Sequence, residues 1–401
     1  MTHLLVAPET ASKIIKDQFN VLKANQFEVG NTTVAQRKKK LKHLLQTIMK
    51  YRPQIKEAMY NDFKKHPSEV DLTEVYPITS EIKHVRSHLS RWMGKHHVDT
   101  PLAMMGSSSY IKYEAKGVVL IISPWNFPFN LTFCPLISAI AAGNTVMVKP
   151  SEHTPHSSAL MKKIIGEVFS QNEVVLIEGG VSTSQRLLEL PFNHIFFTGA
   201  PSIGKIVMAA AAKHLTSVTL ELGGKSPTIV DETANLDAAA RRIAWGKLIN
   251  NGQVCIAPDY VFVHQSKVDQ FLEKVQTYIK QYYTEDASQE SSYSRIVNAR
   301  HFERVKSLLD DSVQKGAKVV IGNQVKAEDN YIAPTVLTNV SHESEIMKEE
   351  IFGPLMPVHT FNDLDEVISV INAKEKPLAL YIYSKDNRNI NKILNNTRAG
   401  G

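Results

Sequence analysis

Hydrophobic positions in the first hundred residues recur at helical spacing. Apolar side chains return every three or four positions through residues 11–24, 34–51 and 78–93, which predicts amphipathic helices. A basic run at residues 37–43 lies within the second of these patterns. We interpret this run as the solvated face of a helix rather than a contact with an anionic membrane.

The pattern then changes to short apolar strands that alternate with helices. After a polar-apolar alternation at residues 107–113, the predicted strands cover residues 118–122, 145–148, 174–177, 194–198 and 217–220. The predicted helices between them cover residues 131–142, 156–169 and 202–214. This alternation predicts βαβ units and a parallel, doubly wound sheet, and so an α/β fold class.

A second α/β segment is predicted beyond residue 225. Its expected helices cover residues 236–248, 267–282 and 299–314, and its expected strands residues 260–263, 318–321, 335–340 and 378–383. A glycine pair, Gly223 and Gly224, follows the last strand of the first segment. We therefore draw the boundary between two domains there.

Composition and charge narrow the classes of protein. The formal charge of +6 is modest for 401 residues, and the basic residues are scattered among 40 acidic ones, so we expect no nucleic-acid partner. No apolar run approaches the roughly 18 residues that a membrane span needs, and residues 1–7 do not look like a signal peptide. With only two cysteines, a disulfide framework is excluded and a cytoplasmic protein is expected.

Candidate chemistry gathers after the strands of the first segment. Ligands of doubly wound sheets bind at the carboxyl ends of the strands. Polar or glycine-rich groups follow five consecutive predicted strands, at residues 123–128, 149–152, 178–180, 199–204 and 221–225. This edge of the sheet is the predicted ligand site.

The two cysteines differ in their surroundings. Cys134 lies on an apolar helix, as expected of a buried small hydrophobic residue. Cys255 follows Asn250, Asn251 and Gly252 in a turn whose N–H groups could stabilise a thiolate or the negative oxygen of a tetrahedral adduct. Most single cysteines simply pack in a core, but these polar turn residues do not fit that pattern, so Cys255 is a candidate nucleophile.

Each accompanying residue also has an ordinary structural interpretation. Glu221 ends an apolar strand and could be a general base or a solvated carboxylate. Asn126, in the rigid turn from Trp125 to Pro128, could donate to an oxyanion or cap its own backbone. Lys149 and Glu152 could bind the hydroxyls of an adenosine ribose or form a surface ion pair.

Two further loops also have both a functional and an ordinary structural interpretation. The loop at residues 199–204 opens a helix whose N–H groups could hold a pyrophosphate, although a simple helix-capping turn looks alike. The loop that carries Glu350 and Phe352 could hold a nicotinamide ribose or be a surface turn.

Six motifs appear in a fixed order: PWNFP, KPSE, FTGAPSIG, ELGGK, GQVC and EIFGP. At these residues the sequence resembles the aldehyde dehydrogenase superfamily over nearly its whole length. The stretches GQVCIAPDYV and NLTFCPLISAIAAGNTVMVKPSE look similar to the class 3 branch. Bacterial relatives in that branch act on fatty, aromatic and carotenoid-derived aldehydes.

The resemblance implies a domain plan and roles for the candidates. It implies an NAD-binding domain at residues 1–100 and 117–223, a bridging arm at residues 101–116 and a catalytic domain at residues 224–401. Cys255 would be the nucleophile, Glu221 the general base, and Asn126 an oxyanion donor together with the Cys255 N–H. No metal is expected; the cofactor would be NAD, with NADP possible, held by Trp125, Lys149, Glu152, Gly180, Thr198, Gly199, Gly204, Glu350 and Phe352.

The expected reaction is oxidation of an apolar aldehyde to its carboxylic acid. An acylating reaction, with coenzyme A or phosphate in place of water, and a catalytically silent binding protein are the alternatives. Similar proteins continue beyond the position of Gly401 with a substrate loop and a strand that joins subunits. A homodimer is therefore expected if that segment is present.

Overall fold

The computed structural model describes residues 9–401, so the expectation for residues 1–7 lies outside the described residues. The chain divides into two compact units. The first comprises residues 9–62 and Val70–Glu221, and the second comprises Phe63–Glu69 and Leu222–Gly401. Each contains a mainly parallel sheet with helices, which confirms the predicted α/β class.

The first part of the chain contains nine helices and seven strands among its described residues. The helices are α1 (Ser12–Gly30), α2 (Val34–Lys50), α3 (Arg52–Phe63), α4 (Pro67–Val70), α5 (Tyr76–Trp92), α6 (Asn130–Ala142), α7 (Pro155–Val168), α8 (Val181–Leu188) and α9 (Pro201–Ala212). The strands are β1 (His96–Val98), β2 (Ser109–Ile111), β3 (Val118–Ile122), β4 (Thr145–Lys149), β5 (Val174–Leu176), β6 (His194–Gly199) and β7 (Ser217–Leu222).

The sheet of the first unit has the strand order β5-β4-β3-β6-β7. β3 pairs in parallel with both β4 and β6, and β4 pairs in parallel with β5. Every residue of β3 and β4 is buried, because helices cover both faces of a parallel sheet. This burial explains why both strands are visible in the sequence as unbroken apolar runs. Separately, β1 and β2 form an antiparallel ribbon.

Helix α2 confirms the amphipathic pattern, but one residue of its basic run departs from the prediction of a solvated face. Arg37 is buried, and its guanidinium donates to the carbonyl oxygens of Ala141 and Gly30 at 2.9 and 2.7 Å. Burial lowers the pKa of Arg37 below its ordinary value. Arg37 therefore satisfies backbone carbonyls near helix ends instead of facing water.

The second part contains six helices and eight strands. The helices are α10 (Leu236–Leu248), α11 (Val268–Tyr283), α12 (Ala299–Gln314), α13 (Glu345–Lys348), α14 (Leu364–Asn372) and α15 (Asn387–Asn396). The strands are β8 (Pro227–Val230), β9 (Tyr260–His264), β10 (Lys318–Ile321), β11 (Val325–Lys326), β12 (Tyr331–Ile332), β13 (Thr335–Thr338), β14 (Leu355–Phe361) and β15 (Tyr381–Tyr383).

The main sheet of the second unit has the order β10-β13-β14-β9-β8-β15. Its strands are parallel except for the edge strand β10, which runs antiparallel to β13. The strand predicted at residues 378–383 begins only at Tyr381. The preceding backbone instead bonds to the last two residues: the Gly401 N–H donates to Leu378 O at 2.7 Å, and Leu380 N–H donates to Gly401 O at 3.1 Å.

No helix among residues 9–401 is long and apolar enough to cross a membrane.

Candidate active site

The turn after β3 holds Asn126 in the first unit. Asn126 is only 3% exposed, and Trp125 beside it is half-buried. The turns after β3 and β4 are joined, because the Ser123 N–H donates to Lys149 O at 3.1 Å. Parallel pairing thus brings these two predicted groups to the same edge of the sheet.

Lys149 and Glu152 form an ion pair with 2.7 Å between Nζ and Oε2. Lys149 is buried and Glu152 is half-buried. Burial acts to raise the pKa of Glu152, but the Lys149 ammonium and its hydrogen bond outweigh burial and hold that pKa below its ordinary value. The pair therefore lies mostly below the surface, unlike the surface ion pair that was the alternative interpretation.

Gly180 lies before α8, and a carboxylate from the start of the described chain approaches it. The Thr183 N–H in the first turn of α8 donates to Glu9 Oε2 at 2.8 Å, and a β-carbon on Gly180 would lie 3.0 Å from Glu9 Oε1. These hydrogen bonds, led by that from the Thr183 hydroxyl, lower the pKa of Glu9. The amino terminus of α8 is thus already satisfied by an internal anion.

The amino terminus of α9 differs, since Ala200, its N-cap residue, contributes no side-chain hydrogen bond. Thr198 and Gly199 end β6 directly before it, and Gly204 lies in its first turns. A β-carbon at position 199 would lie 2.6 Å from the Phe197 ring, so any residue larger than glycine there would force that ring to shift. The N-cap side chain thus leaves the first N–H groups of α9 uncapped, at the end of the helix where the dipole favours an anion.

Glu221 is the penultimate residue of β7 and is exposed. In the strand order β7 is the edge strand next to β6. Its carboxylate is therefore open to solvent and to any ligand.

The nucleophile candidate of the second unit follows three residues with left-handed backbones. Asn250, Asn251 and Gly252 have φ values of 52°, 58° and 73°. Asparagine and glycine are the residues that adopt this conformation most easily. Next along the chain, the Ala257 N–H donates to Val254 O at 3.0 Å, so that Cys255 occupies the second position of a tight turn and is half-buried.

The Gln253 amide holds this loop from inside. Its Nε2 donates to Asn250 O at 2.9 Å and to Arg295 O at 3.1 Å, and its Oε1 accepts from the Val297 N–H at 3.0 Å. The Asn250 N–H in turn donates to the Glu69 carboxylate at 2.9 Å. Buried amides with this many partners fix a single loop conformation.

Glu350 and Phe352 lie on a loop that packs against the nucleophile loop. A β-carbon on Gly252 would lie 2.2 Å from Gly353 O, so the two backbones touch. Phe352 has a positive φ of 49°, an uncommon conformation for a bulky residue and one that is frequent at functional sites. The structure therefore brings these two predicted groups together within one unit.

The Glu350 carboxylate rests on Gly223, where a β-carbon would lie 2.4 Å from each oxygen. Burial, with the nearby Asp259 carboxylate, raises the pKa of Glu350 to about 8. The glycine pair that suggested a domain boundary thus also makes room for a buried acid. Such a perturbed carboxyl is typical of a functional site.

Three residues that hold the Glu350 loop were not predicted. The Lys225 ammonium pairs with Asp259 and donates to Ile346 O and Glu349 O at 2.7 and 2.8 Å. Asp259 accepts from the Ile351 N–H at 2.9 Å, and the Arg304 guanidinium donates to Ile351 O at 2.6 Å. Lys225 closes the ELGGK motif, so its position was a usable signal; Arg304 lies on α12 without any motif.

A buried lysine on α10 was also missed. Lys247 is 1% exposed, and the described residues offer its Nζ no hydrogen bond. Burial lowers the pKa of Lys247 to about 8, against the attraction of Asp259 and Glu350. Burial thus makes the charged form of Lys247 less favourable than that of an exposed lysine.

The first unit suits a dinucleotide. It offers an uncapped helix start at α9 for an anion and a fixed lysine–glutamate pair for hydroxyls. Two exposed aliphatic side chains, Val181 and Ile203, lie in the first turns of α8 and α9 and could cover a flat ring. Sequence reasoning missed both, because helix-terminal aliphatic residues carry no motif.

The family comparison identifies the class of protein. The model of the aldehyde dehydrogenase family matches residues 4–401, and the chain belongs to that family. It is an aldehyde dehydrogenase whose cofactor is NAD or NADP, as the motifs predicted.

Individual relatives are similar over most of their length. The chain is 43% identical to the 4,4'-diaponeurosporen-aldehyde dehydrogenase of Staphylococcus aureus, over 97% of this chain and 84% of that protein. It is also 43% identical to the dimeric NADP-preferring aldehyde dehydrogenase of Rattus norvegicus, over 94% and 82%. The solved substrate-bound Staphylococcus aureus AldH superposes with a TM-score of 0.93 at 43% identity, covering 96% of this chain and 84% of that one.

Proposed function

We propose that the chain oxidises an apolar aldehyde to its carboxylic acid through a thioester on Cys255. The observation that carries this proposal is the nucleophile loop, in which three left-handed residues and the Gln253 amide fix the turn that carries Cys255. Such rigidity is what a nucleophile needs to meet a bound carbonyl at one geometry.

Each residue then has one task. The Cys255 thiolate adds to the aldehyde carbon, and the resulting oxygen anion is held by the Asn126 amide and the Cys255 N–H. A bound nicotinamide would be the two-electron oxidant: it would accept the hydride from the former aldehyde carbon, and the adduct would become a thioester on Cys255. Glu221 takes a proton from water, which attacks the thioester and releases the acid.

The residues that would hold the cofactor divide by type. Trp125, Gly180, Thr198, Gly199 and Gly204 offer backbone and ring surfaces, and Lys149 with Glu152 binds the adenosine ribose. Glu350 and Phe352 hold the nicotinamide ribose. The domain roles follow: residues 1–100 and 117–223 bind NAD, and residues 224–401 carry the nucleophile.

An apolar substrate is supported by exposed apolar side chains in the stretch of sequence around Cys255. In the segment that carries it, Trp245 and Ile256 are 47% and 46% exposed, although both are large apolar side chains. The Staphylococcus aureus relative is named for a polyene aldehyde. We infer a fatty, aromatic or polyene aldehyde as the substrate class.

Assembly and location are part of the proposal. Residues 98–113, around the β1–β2 ribbon, expose large apolar side chains, with Leu102 at 88% and Met105 at 86%. We infer that this arm, residues 101–116, joins two subunits. Replacing both Leu102 and Met105 by Asp should therefore yield monomers in sedimentation velocity. Two cysteines that form no disulfide among the described residues, and basic residues scattered along the sequence, fit a cytoplasmic enzyme without a nucleic-acid partner.

The test uses Glu221→Gln in rapid mixing with NAD and decanal. If Glu221 acts on the deacylating water, one equivalent of reduced cofactor forms in a burst, and turnover then slows by roughly 10² to 10⁴. Glu189→Gln, an exposed glutamate of the same unit, should behave as wild type. Product analysis should find the free acid. If the acyl group is instead released only by transfer to coenzyme A, the enzyme catalyses the acylating reaction and not hydrolysis. Normal turnover of Glu221→Gln would exclude Glu221 as the base.

A further inference from the structure

The turn that carries Cys255 is held from β15 by a tyrosine that has no role in the function so far. The Tyr381 hydroxyl donates to Ile256 O at 2.5 Å. Tyr381 is half-buried and lies on the short edge strand β15, far along the chain from the nucleophile.

This contact begins a chain of hydrogen bonds that ends at the nucleophile. The carbonyl of Ile256 belongs to the same peptide group as the Ala257 N–H, which donates to Val254 O at 3.0 Å. The carbonyl of Val254 in turn shares its peptide group with the Cys255 N–H. In a trans peptide, a hydrogen bond received by the carbonyl makes the N–H on the other side a better donor, and such chains reinforce one another.

The backbone before Cys255 is held by different contacts. There Gln253 and the left-handed residues hold the backbone through buried amides. On the side after Cys255, the bond from Tyr381 holds the carbonyl of Ile256, which the turn's own hydrogen bond does not use. Tyr381 is thus placed to set the angle of the turn.

We propose that Tyr381 is a positioning residue for the oxyanion, which orients and polarises the Cys255 N–H through the Ile256 and Val254 peptides. The inference rests on the proposed function, in which that N–H binds the oxygen anion. Burial raises the pKa of Tyr381, so that its hydroxyl keeps the proton it donates across the working range of the enzyme. No proton moves; the residue acts through alignment and charge distribution alone.

The experiment compares two reactions of the same thiol. Acylation of Cys255 by 4-nitrophenyl acetate passes through a tetrahedral oxygen anion, whereas alkylation by iodoacetamide displaces iodide and forms none. Neither reaction needs the cofactor. In Tyr381→Phe, we expect the nitrophenolate burst to slow about three- to ten-fold, the worth of one hydrogen bond in the transition state. The alkylation rate should stay within about 1.5-fold of wild type at each pH.

Tyr383→Phe is the matched control, because Tyr383 lies on the same strand and is also half-buried. It should change neither rate. A second variant separates the hydrogen bond from packing. In 3-fluorotyrosine at position 381 the side chain keeps nearly the same shape, but its hydroxyl is a stronger hydrogen-bond donor at pH 7. It should accelerate the burst rather than slow it.

Two results would overturn the proposal. If Tyr381→Phe slows alkylation as much as acylation, the hydroxyl only keeps the thiol in place. If it changes neither rate, the hydroxyl does not act on the oxyanion. The proposed function is judged separately, by Cys255→Ser: persistence of aldehyde oxidation there would refute the nucleophile itself, whatever Tyr381 does.

Discussion

Replacing Gly252 by alanine tests how closely the nucleophile loop packs on the Glu350 loop. The new methyl carbon would lie 2.2 Å from Gly353 O and 2.5 Å from Gly353 C. Since ordinary contacts are near 3.4 Å, one backbone must move by about 1 Å. A shift of that size at a nucleophile costs about 10²-fold in kcat.

Gly316→Ala provides the matched control for backbone strain. Gly316 also has a positive φ, 94°, but nothing lies within 4 Å of its would-be β-carbon. The left-handed backbone alone costs about 1–2 kcal/mol, offset by about 0.4–1 kcal/mol from the unfolded chain. Gly316→Ala should therefore lose at most about 1.5 kcal/mol, and Gly252→Ala, with the added clash, more than about 4 kcal/mol.

The assays are urea unfolding for stability and initial rates of aldehyde oxidation for activity. Gly316→Ala should retain wild-type kcat. Equal destabilisation of the two variants, with more than a third of wild-type kcat left in Gly252→Ala, would refute the claim that the two loops are locked together.

Three further predictions concern charged and thiol groups. The pKa of Glu350 is about 8 in the fold against about 4.3 in the unfolded chain, so the native state holds this proton more tightly and stability falls as pH rises between those values. Glu350→Gln lacks this titration, so in thermal unfolding at pH 9 it should be more stable than wild type by a few kcal/mol, although its affinity for the cofactor should fall. If the stabilities of the two proteins change with pH in parallel, this explanation is wrong. Burial, helped by Glu81 and Glu74, raises the pKa of Cys134 to about 12, so iodoacetamide at pH 8 should label Cys255 alone in peptide mapping, and Cys134→Ala should keep full activity. Glu152→Gln should raise kcat/KM for NADP relative to NAD about five-fold, since it removes roughly 1 kcal/mol of repulsion from a 2'-phosphate; a wild type that prefers NADP would count against this role.

Local signals in the sequence predicted most of the fold. Helices Leu236–Leu248 and Ala299–Gln314 and strand Val118–Ile122 have the predicted bounds, because their apolar spacing or run is unbroken. Strand β14 was missed although it is central, since Pro357 inside it argues against a strand. Helices α8, α14 and α15 and the short β8 were also missed.

The residues of the candidate site could be named from the sequence, and their roles stay predictions. Motif residues could be named from the sequence because each follows a strand or a turn directly. The left-handed path of residues 250–252 could not, because it depends on partners such as Glu69 and Arg295, which only the fold brings near. The buried acid and lysine, Glu350 and Lys247, owe their pKa values to that same assembly.

The loop before the nucleophile also bears on how the enzyme ages. Asn251 is followed by Gly252, the dipeptide at which asparagine most readily deamidates once the chain is flexible. In the fold the Asn251 amide is buried and donates to Ser294 O at 2.9 Å, and its backbone is held in the left-handed conformation. Chemical damage must therefore wait for local opening of this loop. Slow accumulation of aspartate at position 251 in stored enzyme would record how often the nucleophile loop unfolds, and each such event would leave a buried charge four residues before Cys255.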